Sequence, residues 1–135
     1  QARHPVWMVV HINHVKELSG EVEAALGRLV DAGIPVLNQS VLLRGVNDDA
    51  DALAALCKRL VQLRVRPYYL HHPDNVPGGG RFRVSVEEGL AIHRALRTKL
   101  SGIALPQYVI DPPDGTGKVP VAEWVDRPVP LQSGR

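Results

Sequence analysis

The feature that most constrains this fold is the alternation of short apolar runs with amphipathic stretches. Residues 6–12 are almost continuously apolar and rich in β-branched side chains, which is typical of a strand buried in a parallel sheet. Further strands are predicted at residues 34–43, residues 65–70 and Gln107–Ile110. With a helix between consecutive strands, the order is β-α-β-α-β-α-β. The sequence therefore predicts an α/β fold of barrel or doubly wound type.

Three amphipathic helices are predicted between these strands, and each has a recognisable start. The caps are Ser19 for the first, Asp48 or Asp49 for the second, and Ser85, with Glu88 completing a capping box, for the third. Gly33 ends the first helix, and Gly102 follows the third, which is expected to run to about Leu100. Cys57 falls on the apolar stripe of the second helix and is expected to be buried.

Composition limits the possible partners and the compartment. The chain has 135 residues and a formal net charge of +2, with its basic residues scattered, so we expect no nucleic-acid partner. A single cysteine excludes an internal disulfide and fits a reducing compartment. No apolar run reaches the roughly 18 residues that span a bilayer, so we predict a cytoplasmic location and no membrane partner. Because an apolar strand is already under way by residue 6, we expect a chain joined in mid-fold, as in a fragment.

Polar side chains follow four of the predicted strands and direct attention to one rim of the sheet. His11, Gln39, Asp74 and Asp111 each lie late in a strand or just after one. In α/β folds of this order, ligands gather outside the carboxyl ends of the strands. We therefore predict one pocket lined by these four residues. The alternative is that each aspartate only caps a loop.

Lys118 lies in a loop, residues 111–120, that prolines stiffen and glycines free just ahead of the lysine. An amine held in this way can condense with an aldehyde cofactor such as pyridoxal phosphate, whereas the alternative is a solvated surface lysine. The run Gly-Thr-Gly-Lys is too short for a phosphate-binding loop, and no helix is expected after Val119 and Pro120. Asp74 and Asp111 favour a cationic ligand, since two unpaired carboxylates would repel each other.

Two close pairs of histidines raise the question of a metal site. His11 and His14 follow a strand, where they do not share a helical face, and His71 and His72 are adjacent. No third ligand lies near either pair, so we assign no metal ligands. His11 is better explained as a polar contact to a ligand.

Three consecutive polar residues, Asn38, Gln39 and Ser40, interrupt the apolar second strand. An unpaired buried polar group costs roughly 1–3 kcal/mol. We therefore expect these side chains to bond to backbone, water or a ligand.

Five segments occur in an order that resembles one enzyme family. They are residues 4–7, residues 11–14, residues 38–48, residues 66–70 and the loop that contains Lys118. Together they closely resemble the C-terminal half of the lysine 2,3-aminomutase family of radical S-adenosylmethionine enzymes, over roughly residues 4–125. The block Asn-Gln-Ser-Val-Leu-Leu-Arg-Gly-Val-Asn-Asp, residues 38–48, is highly specific. The resemblance implies the C-terminal portion of a partial (β/α) barrel of the radical S-adenosylmethionine type.

The resemblance implies roles for five residues. Lys118 matches the lysine that carries pyridoxal phosphate, and Asp74 and Asp111 match aspartates that grip the side-chain ammonium of substrate lysine. Since the glutamate-specific relatives do not keep this pair, L-lysine is the expected substrate. His11 and Gln39 match part of the S-adenosylmethionine pocket, a less specific correspondence. The implied reaction interconverts L-lysine and L-β-lysine by radical 2,3-amino migration.

The chain also departs from the family pattern at its metal sites. The family's Cys-x3-Cys-x2-Cys motif for a [4Fe-4S] cluster is absent, and Cys57 alone cannot replace it. We therefore expect the cluster and S-adenosylmethionine only in a full-length enzyme, and no reaction from this chain alone. The cysteines that hold a structural zinc in some members are missing, with Asp49 where the first would stand, so no zinc is expected.

The resemblance also divides the chain and leaves alternatives open. Residues 1–110 are predicted to be C-terminal β/α units of a partial barrel, residues 111–125 the pyridoxal-phosphate lysine loop and closing segment, and residues 126–135 a loose tail. One alternative is the related enzyme that isomerises a lysine for attachment to elongation factor P. Another is a non-catalytic truncated domain that serves in binding or interaction. The open edges of an incomplete barrel would also allow a homo-oligomer.

Overall fold

The structure, a computed structural model, describes residues 4–73 and 83–126. Within those ranges the strands are β1 (Met8–His11), β2 (Val36–Val41), β3 (Arg66–His71), β4 (Gln107–Ile110) and β5 (Val119–Pro120). The α-helices are α1 (Gly20–Asp31), α2 (Ala50–Gln62), α3 (Val86–Arg97) and α4 (Val121–Asp126). The expected α/β order is thus confirmed as far as Ile110. The tail expected at residues 126–135 lies outside the described residues apart from Asp126, which ends α4.

One sheet holds the strands in chain order, β1-β2-β3-β4-β5. The first four strands are parallel to their neighbours, and β5 is antiparallel to β4. Because crossovers between parallel strands are right-handed, helices that join successive neighbours fall on the same face of the sheet. Of the two arrangements that the sequence allowed, the strand order is therefore that of a barrel segment.

The predicted helix starts are confirmed by the cap geometry, whereas α3 ends at Arg97, before the expected Leu100. The Ser19, Asp49 and Ser85 side chains each accept a backbone hydrogen bond from the first turn, and Glu88 completes the capping box of α3. Gly33 follows α1 with φ +83°, a conformation that glycine adopts at little cost. None of the helices in the described ranges has the length and apolar character needed to cross a membrane.

The core lies between the sheet and the helices and forms two clusters of buried side chains. The first contains Ile12, Leu26, Val36, Leu56, Leu60 and Val65, and the second contains Leu42, Leu53, Ala54, Leu70, Val84, Leu96, Tyr108, Ile110 and Val121. Each fully buried aliphatic side chain contributes about 1.5–3 kcal/mol. Cys57 is buried on α2 beside this core, as its position on the apolar stripe predicts.

A buried asparagine joins the ends of β1 and β2. Asn38 Oδ1 accepts a hydrogen bond from the backbone N–H of Ile12 at 2.9 Å, and Asn38 Nδ2 donates to the Ile12 carbonyl oxygen at 3.1 Å. The Ser40 hydroxyl donates to the same oxygen at 2.6 Å. The expectation that polar residues in this strand need partners is therefore confirmed, and the partner of Asn38 and Ser40 is the neighbouring backbone.

Two further asparagines fix the segments that leave these strands. Asn13 Oδ1 accepts from the backbone N–H of Val41 at 2.9 Å. Asn47, which is only 1% exposed, donates from Nδ2 to the carbonyl oxygens of Asn13 and Val41 and accepts from the N–H of Leu43 at 2.8 Å. Side chains of Asn13 and Asn47 thus provide hydrogen bonds to backbone groups beyond the point where the β1–β2 backbone pairing ends.

The segment after Lys118 differs from the expectation that no helix follows. Val119 and Pro120 form β5, and α4 begins directly afterwards at Val121. A proline is compatible with an edge strand and with the residue just ahead of a helix. Val121 is fully buried in the second cluster, which accounts for the return of the chain to the core.

Removing the Asn38 amide tests how much this junction contributes to stability. We expect Asn38→Ala to lower the free energy of unfolding by about 1–3 kcal/mol, because buried groups of Ile12 lose partners. Gln107→Ala, at an exposed amide on β4, should stay within about 0.5 kcal/mol of the parent chain. Urea unfolding measures both, and equal effects would contradict the role given to Asn38.

Two helix glycines give a matched test of core packing. A Cβ added at Gly89 of α3 would overlap the Tyr108 hydroxyl oxygen, whereas one added at Gly27 of α1 would meet nothing within 4 Å. We expect Gly89→Ala to destabilise the chain by about 1–3 kcal/mol through overpacking. Gly27→Ala should stabilise it by up to about 1 kcal/mol through helix propensity. Thermal unfolding of the two variants should shift the midpoint in opposite directions.

Candidate functional site

One face of the sheet carries residues that belong to neither hydrophobic cluster. Because side chains alternate along a strand, β1 and β2 send Val10, Asn38 and Ser40 toward the helices and the intervening residues to the other side. We call this other side the open face; near the carboxyl ends of the strands it includes Val9, His11, Leu37, Gln39, Val41, Tyr69, His71 and Val109. Its polar members lie toward the carboxyl ends of the strands, where the sequence predicts a site.

The β4–β5 hairpin brings Asp111 and Lys118 together. Ile110 pairs with Val119 in antiparallel register, so the residues that flank this pair, Asp111 and Lys118, face each other across the base of the loop. Lys118 Nζ lies 3.7 Å from Asp111 Oδ1, and the two side chains are 35% and 52% exposed. An exposed pair of this kind contributes only about 0–1 kcal/mol, so the hairpin, and not the charge attraction, sets their proximity.

The loop between these residues is ordered by its own turn chemistry. Gly115 and Gly117 have φ of +74° and +93°, values that favour glycine. Asp114 Oδ1 accepts from the Thr116 backbone N–H at 3.0 Å and from the Thr116 hydroxyl at 2.7 Å. The glycines that the sequence places before Lys118 thus shape the turn that returns the lysine to the sheet.

His71 connects the loop to the neighbouring strand. At the end of β3, His71 Nε2 lies 3.0 Å from Gln39 Oε1, and His71 Nδ1 lies 3.8 Å from Asp111 Oδ2. His11 pairs with Gln39 in the β1–β2 register and is close enough to influence the titration of His71. Three side chains, Gln39, Asp111 and His11, therefore lie around the His71 imidazole.

Tyr69 provides the apolar side of the same site. Its ring centroid lies 5.6 Å from Lys118 Nζ, within the range of a cation–π contact, and 5.7 Å from the His71 ring in an edge-on arrangement. A hydrogen bond with Tyr68 raises the pKa of the Tyr69 phenol, and the negative charge of Asp111 adds to the effect. Tyr69 is therefore a neutral aromatic neighbour of the lysine.

Burial and charge together keep His71 neutral near physiological pH. Burial lowers the pKa of the His71 imidazole, and the Lys118 ammonium and His11 lower it further, while Asp111 acts in the opposite direction. His93, at the opposite layer, also has a lowered pKa because it is buried, although the Pro106 carbonyl partly offsets this. A neutral imidazole has one nitrogen that donates and one that accepts a hydrogen bond.

The structure brings together four of the five residues that the sequence singles out. His11, Gln39, Asp111 and Lys118 lie at the carboxyl ends of β1, β2 and β4 and at the start of β5. The fifth, Asp74, lies outside the described residues. Sequence reasoning assigned no role to Tyr69 or His71; the available signal was the alternation along β3, which puts both on the face of Gln39.

Two other histidines, His14 and His72, have structural partners. His14 Nδ1 accepts from the Lys16 backbone N–H at 3.0 Å and caps a short 3-10 turn, Val15–Glu17. His72 points to the helix layer, where its Nδ1 lies 2.7 Å from the Tyr108 hydroxyl. Within the described ranges, His, Cys, Asp and Glu side chains do not gather in groups of three or more that could hold a metal ion.

Comparison with known proteins gives relatives over most of this chain. It is 45% identical over 117 residues to a putative L-lysine 2,3-aminomutase of Aquifex aeolicus, which covers 87% of this chain and 32% of that protein. It is 48% identical over 118 residues to the L-lysine 2,3-aminomutase of Methanococcus maripaludis, with 87% and 27% covered. The chain is homologous to part of the lysine 2,3-aminomutases. The resemblance seen in the sequence motifs is thereby confirmed.

One further relative of this chain is named for a different substrate. A glutamate 2,3-aminomutase of Clostridioides difficile is 41% identical over 118 residues, covering 87% of this chain and 28% of that protein. The chain spans about a third or less of the length of these three relatives. No protein-family model matches the chain.

The fold also matches part of a solved structure. A radical SAM methyltransferase from Sphaerobacter thermophilus superimposes with a TM-score of 0.57 and 23% identity, covering 81% of this chain and 34% of that one. At that identity the match concerns the fold alone. Together with the mostly parallel sheet, it confirms the expected α/β fold as a portion of a radical SAM-type barrel.

The lowered pKa values of His71 and His93 predict a stability that falls in mild acid. Both histidines bind a proton more weakly when folded than at the ordinary pKa of about 6.5. The free energy of unfolding should therefore be highest above pH 7 and decrease as the pH falls through about 6.5 toward the folded-state values. The pKa values of Glu23 and Glu88 are lowered from 4.5, so these carboxyls do not titrate in this window.

Urea unfolding between pH 7.5 and 5.5 measures this dependence. His71→Gln should flatten the curve in part, because one of the two groups is removed while a neutral side chain still faces Gln39. A parent curve that is flat, or that rises toward acid, would contradict the neutral state assigned to the histidines.

Proposed function

We propose that this chain supplies the amine-binding side of a lysine 2,3-aminomutase, the part of the site that would hold pyridoxal phosphate and the side chain of L-lysine. The observation that carries the proposal is the contact between Lys118 and Asp111 at the carboxyl end of the sheet. The relatives of this chain are named lysine 2,3-aminomutases. The Lys118 amine, which could react with a carbonyl group, then lies 3.7 Å from the Asp111 carboxylate, which could bind a substrate ammonium.

The residues around Lys118 suit an aldehyde cofactor. The lysine side chain is 35% exposed on the open face, so a carbonyl group can approach its amine from solvent. The Tyr69 ring beside it offers a flat apolar surface for a planar heterocycle. When bound, pyridoxal phosphate supplies an electron-withdrawing ring that delocalises charge or an unpaired electron next to the amino nitrogen.

Asp111 is suited to a ligand ammonium because its present partner is a lysine. The carboxylate is half exposed and its contact with Lys118 is long, at 3.7 Å, so the contact is easily exchanged. With pyridoxal phosphate bound, Lys118 would be the residue that holds the cofactor, and its nitrogen would be directed to that group and not to Asp111. A substrate cation can then take that position, and Asp111 would orient it.

The same charge argument favours lysine over glutamate as substrate. A glutamate side chain would bring a second carboxylate toward Asp111 and would be repelled, whereas the ammonium of lysine is attracted. Asp74, which the family resemblance pairs with Asp111, would strengthen this preference from outside the described residues. Attachment of a lysine to elongation factor P has no separate observation in its favour here.

An iron–sulfur cluster does not fit the cysteine content of this chain. Such clusters need several thiolates, and the single cysteine, Cys57, is buried in α2. Burial raises the pKa of its thiol to about 12, which keeps it protonated. The cluster and the radical-generating step would therefore depend on a longer protein, in which His11 and Gln39 would face S-adenosylmethionine.

Covalent trapping tests the assignment of Lys118. We expect a stoichiometric amount of pyridoxal 5′-phosphate, followed by borohydride reduction and peptide mass spectrometry, to modify Lys118 selectively. The Lys118 amine lies close to His71 and Tyr69, and these neighbours distinguish it from lysine amines that are surrounded by solvent. Lys118→Ala should abolish the main adduct, and circular dichroism should show an unchanged fold.

Lys58→Ala is the matched control, since Lys58 is exposed on α2 away from the open face. This variant should keep the adduct at Lys118. A label distributed evenly over Lys16, Lys58, Lys99 and Lys118 would sink the proposed cofactor role.

A further inference from the structure

His71 has two ring nitrogens that face two different partners on the open face. Nε2 lies 3.0 Å from Gln39 Oε1, and Nδ1 lies 3.8 Å from Asp111 Oδ2. The imidazole side chain is 16% exposed, so solvent weakens these two contacts less than it would at the surface. His71 is thus the one ionisable group, among the described residues, that contacts both the strand β2 and the carboxylate proposed to bind an ammonium.

The partner of Nε2 determines which nitrogen carries the proton. An amide oxygen can only accept, so Nε2 must donate to Gln39 Oε1. In the neutral ring, Nδ1 then presents a lone pair to the Asp111 carboxylate, and two acceptors form no hydrogen bond. Protonation of Nδ1 would place a charged donor against Asp111 Oδ2 and turn this contact into an ion pair.

The surroundings of His71 set a balance that mild acid can shift. Burial is the main factor that lowers the pKa of the His71 ring, Lys118 and His11 lower it further, and Asp111 acts in the opposite direction. Gln39 and Tyr69, its other polar neighbours on the open face, carry no charge. The ring is therefore neutral at pH 7.5 and gains its proton in the acid range.

We propose that His71 controls the availability of Asp111: the neutral ring leaves the carboxylate to a cationic ligand, and the ring protonated on Nδ1 pairs with the carboxylate and competes with that ligand. The identity of the ligand as the ammonium of lysine rests on the proposed function. The competition itself rests on the contacts of His71 with Gln39 and Asp111 and on the burial of its ring, and it does not depend on which cation binds.

The first experiment measures the coupling without any ligand. Histidine ring resonances of the whole chain are followed by NMR from pH 8 to pH 5, and His71 is assigned by its absence in His71→Gln. We expect the pKa of His71 to fall in Asp111→Asn, which removes the favourable charge, and to rise in Lys118→Ala, which removes an unfavourable one. Asp51→Asn, at a carboxylate on α2, should leave it unchanged. An identical pKa in the parent chain and in Asp111→Asn would overturn the proposal.

The second experiment measures the competition with L-lysine as the probe and L-norleucine, which lacks the side-chain ammonium, as its control. We expect the Kd for L-lysine to weaken about fivefold or more between pH 7.5 and 5.5 in the parent chain, a typical size for coupling between two sites. In His71→Gln the Kd should stay constant over the same range. Equal pH dependence in the two chains would overturn the role of His71.

The two experiments separate this inference from the proposed function. If L-lysine binds no better than L-norleucine at any pH, the proposed ligand is wrong, and the NMR titration alone decides whether His71 and Asp111 form a pair. If L-lysine binds but the pKa of His71 is the same in the parent chain and in Asp111→Asn, the proposed function stands and this inference fails.

Discussion

The position of His11 and Gln39 in the site depends on the buried Asn38 amide and its two hydrogen bonds to the backbone of Ile12. At the end of β1 the chain must leave the sheet, and its N–H and C=O groups must still be satisfied. Asn38 and Ser40 satisfy them from within β2, and Asn13 and Asn47 do the same for the exit of β2. Because His11 and Gln39 directly adjoin this junction in register, their place on the open face follows from it.

A second constraint, the antiparallel pairing of β4 with β5, accounts for the other half of the site. The Lys118–Asp111 contact is too long and too exposed to close a loop by itself. Closure comes from the Ile110–Val119 pair, from burial of Val121, and from the positive φ at Gly115 and Gly117. The lysine is therefore held near the carboxylate by the backbone, which leaves its amine chemically available.

Local signals in the sequence predict most of this fold, whereas contacts between distant residues do not follow from them. Helix starts are predicted from Ser19, Asp49 and Ser85 because a cap acts within one turn, and apolar runs predict four strands. β5 was missed because two residues carry no periodicity, and its pairing with β4 is visible only in three dimensions. The need of Asn38 for a partner could be predicted, but its partner, Ile12, could not. His71 has no role in the sequence analysis because the adjacent histidines were weighed only as metal ligands and lacked a third, although alternation along β3 assigns them to opposite faces.

That division between His71 and His72 links the site to the core. His71 contacts Gln39 and Asp111 on the open face, while His72 Nδ1 lies 2.7 Å from the buried Tyr108 hydroxyl oxygen on the helix side. Tyr108 can reach that position only because Gly89 leaves room for its oxygen. A buried hydroxyl without a partner would cost about 1–3 kcal/mol, so the end of β3 is held against rotation about its own axis. The orientation of His71 toward Asp111 therefore depends on packing in the helix layer, which lies on the other side of the sheet from the candidate site.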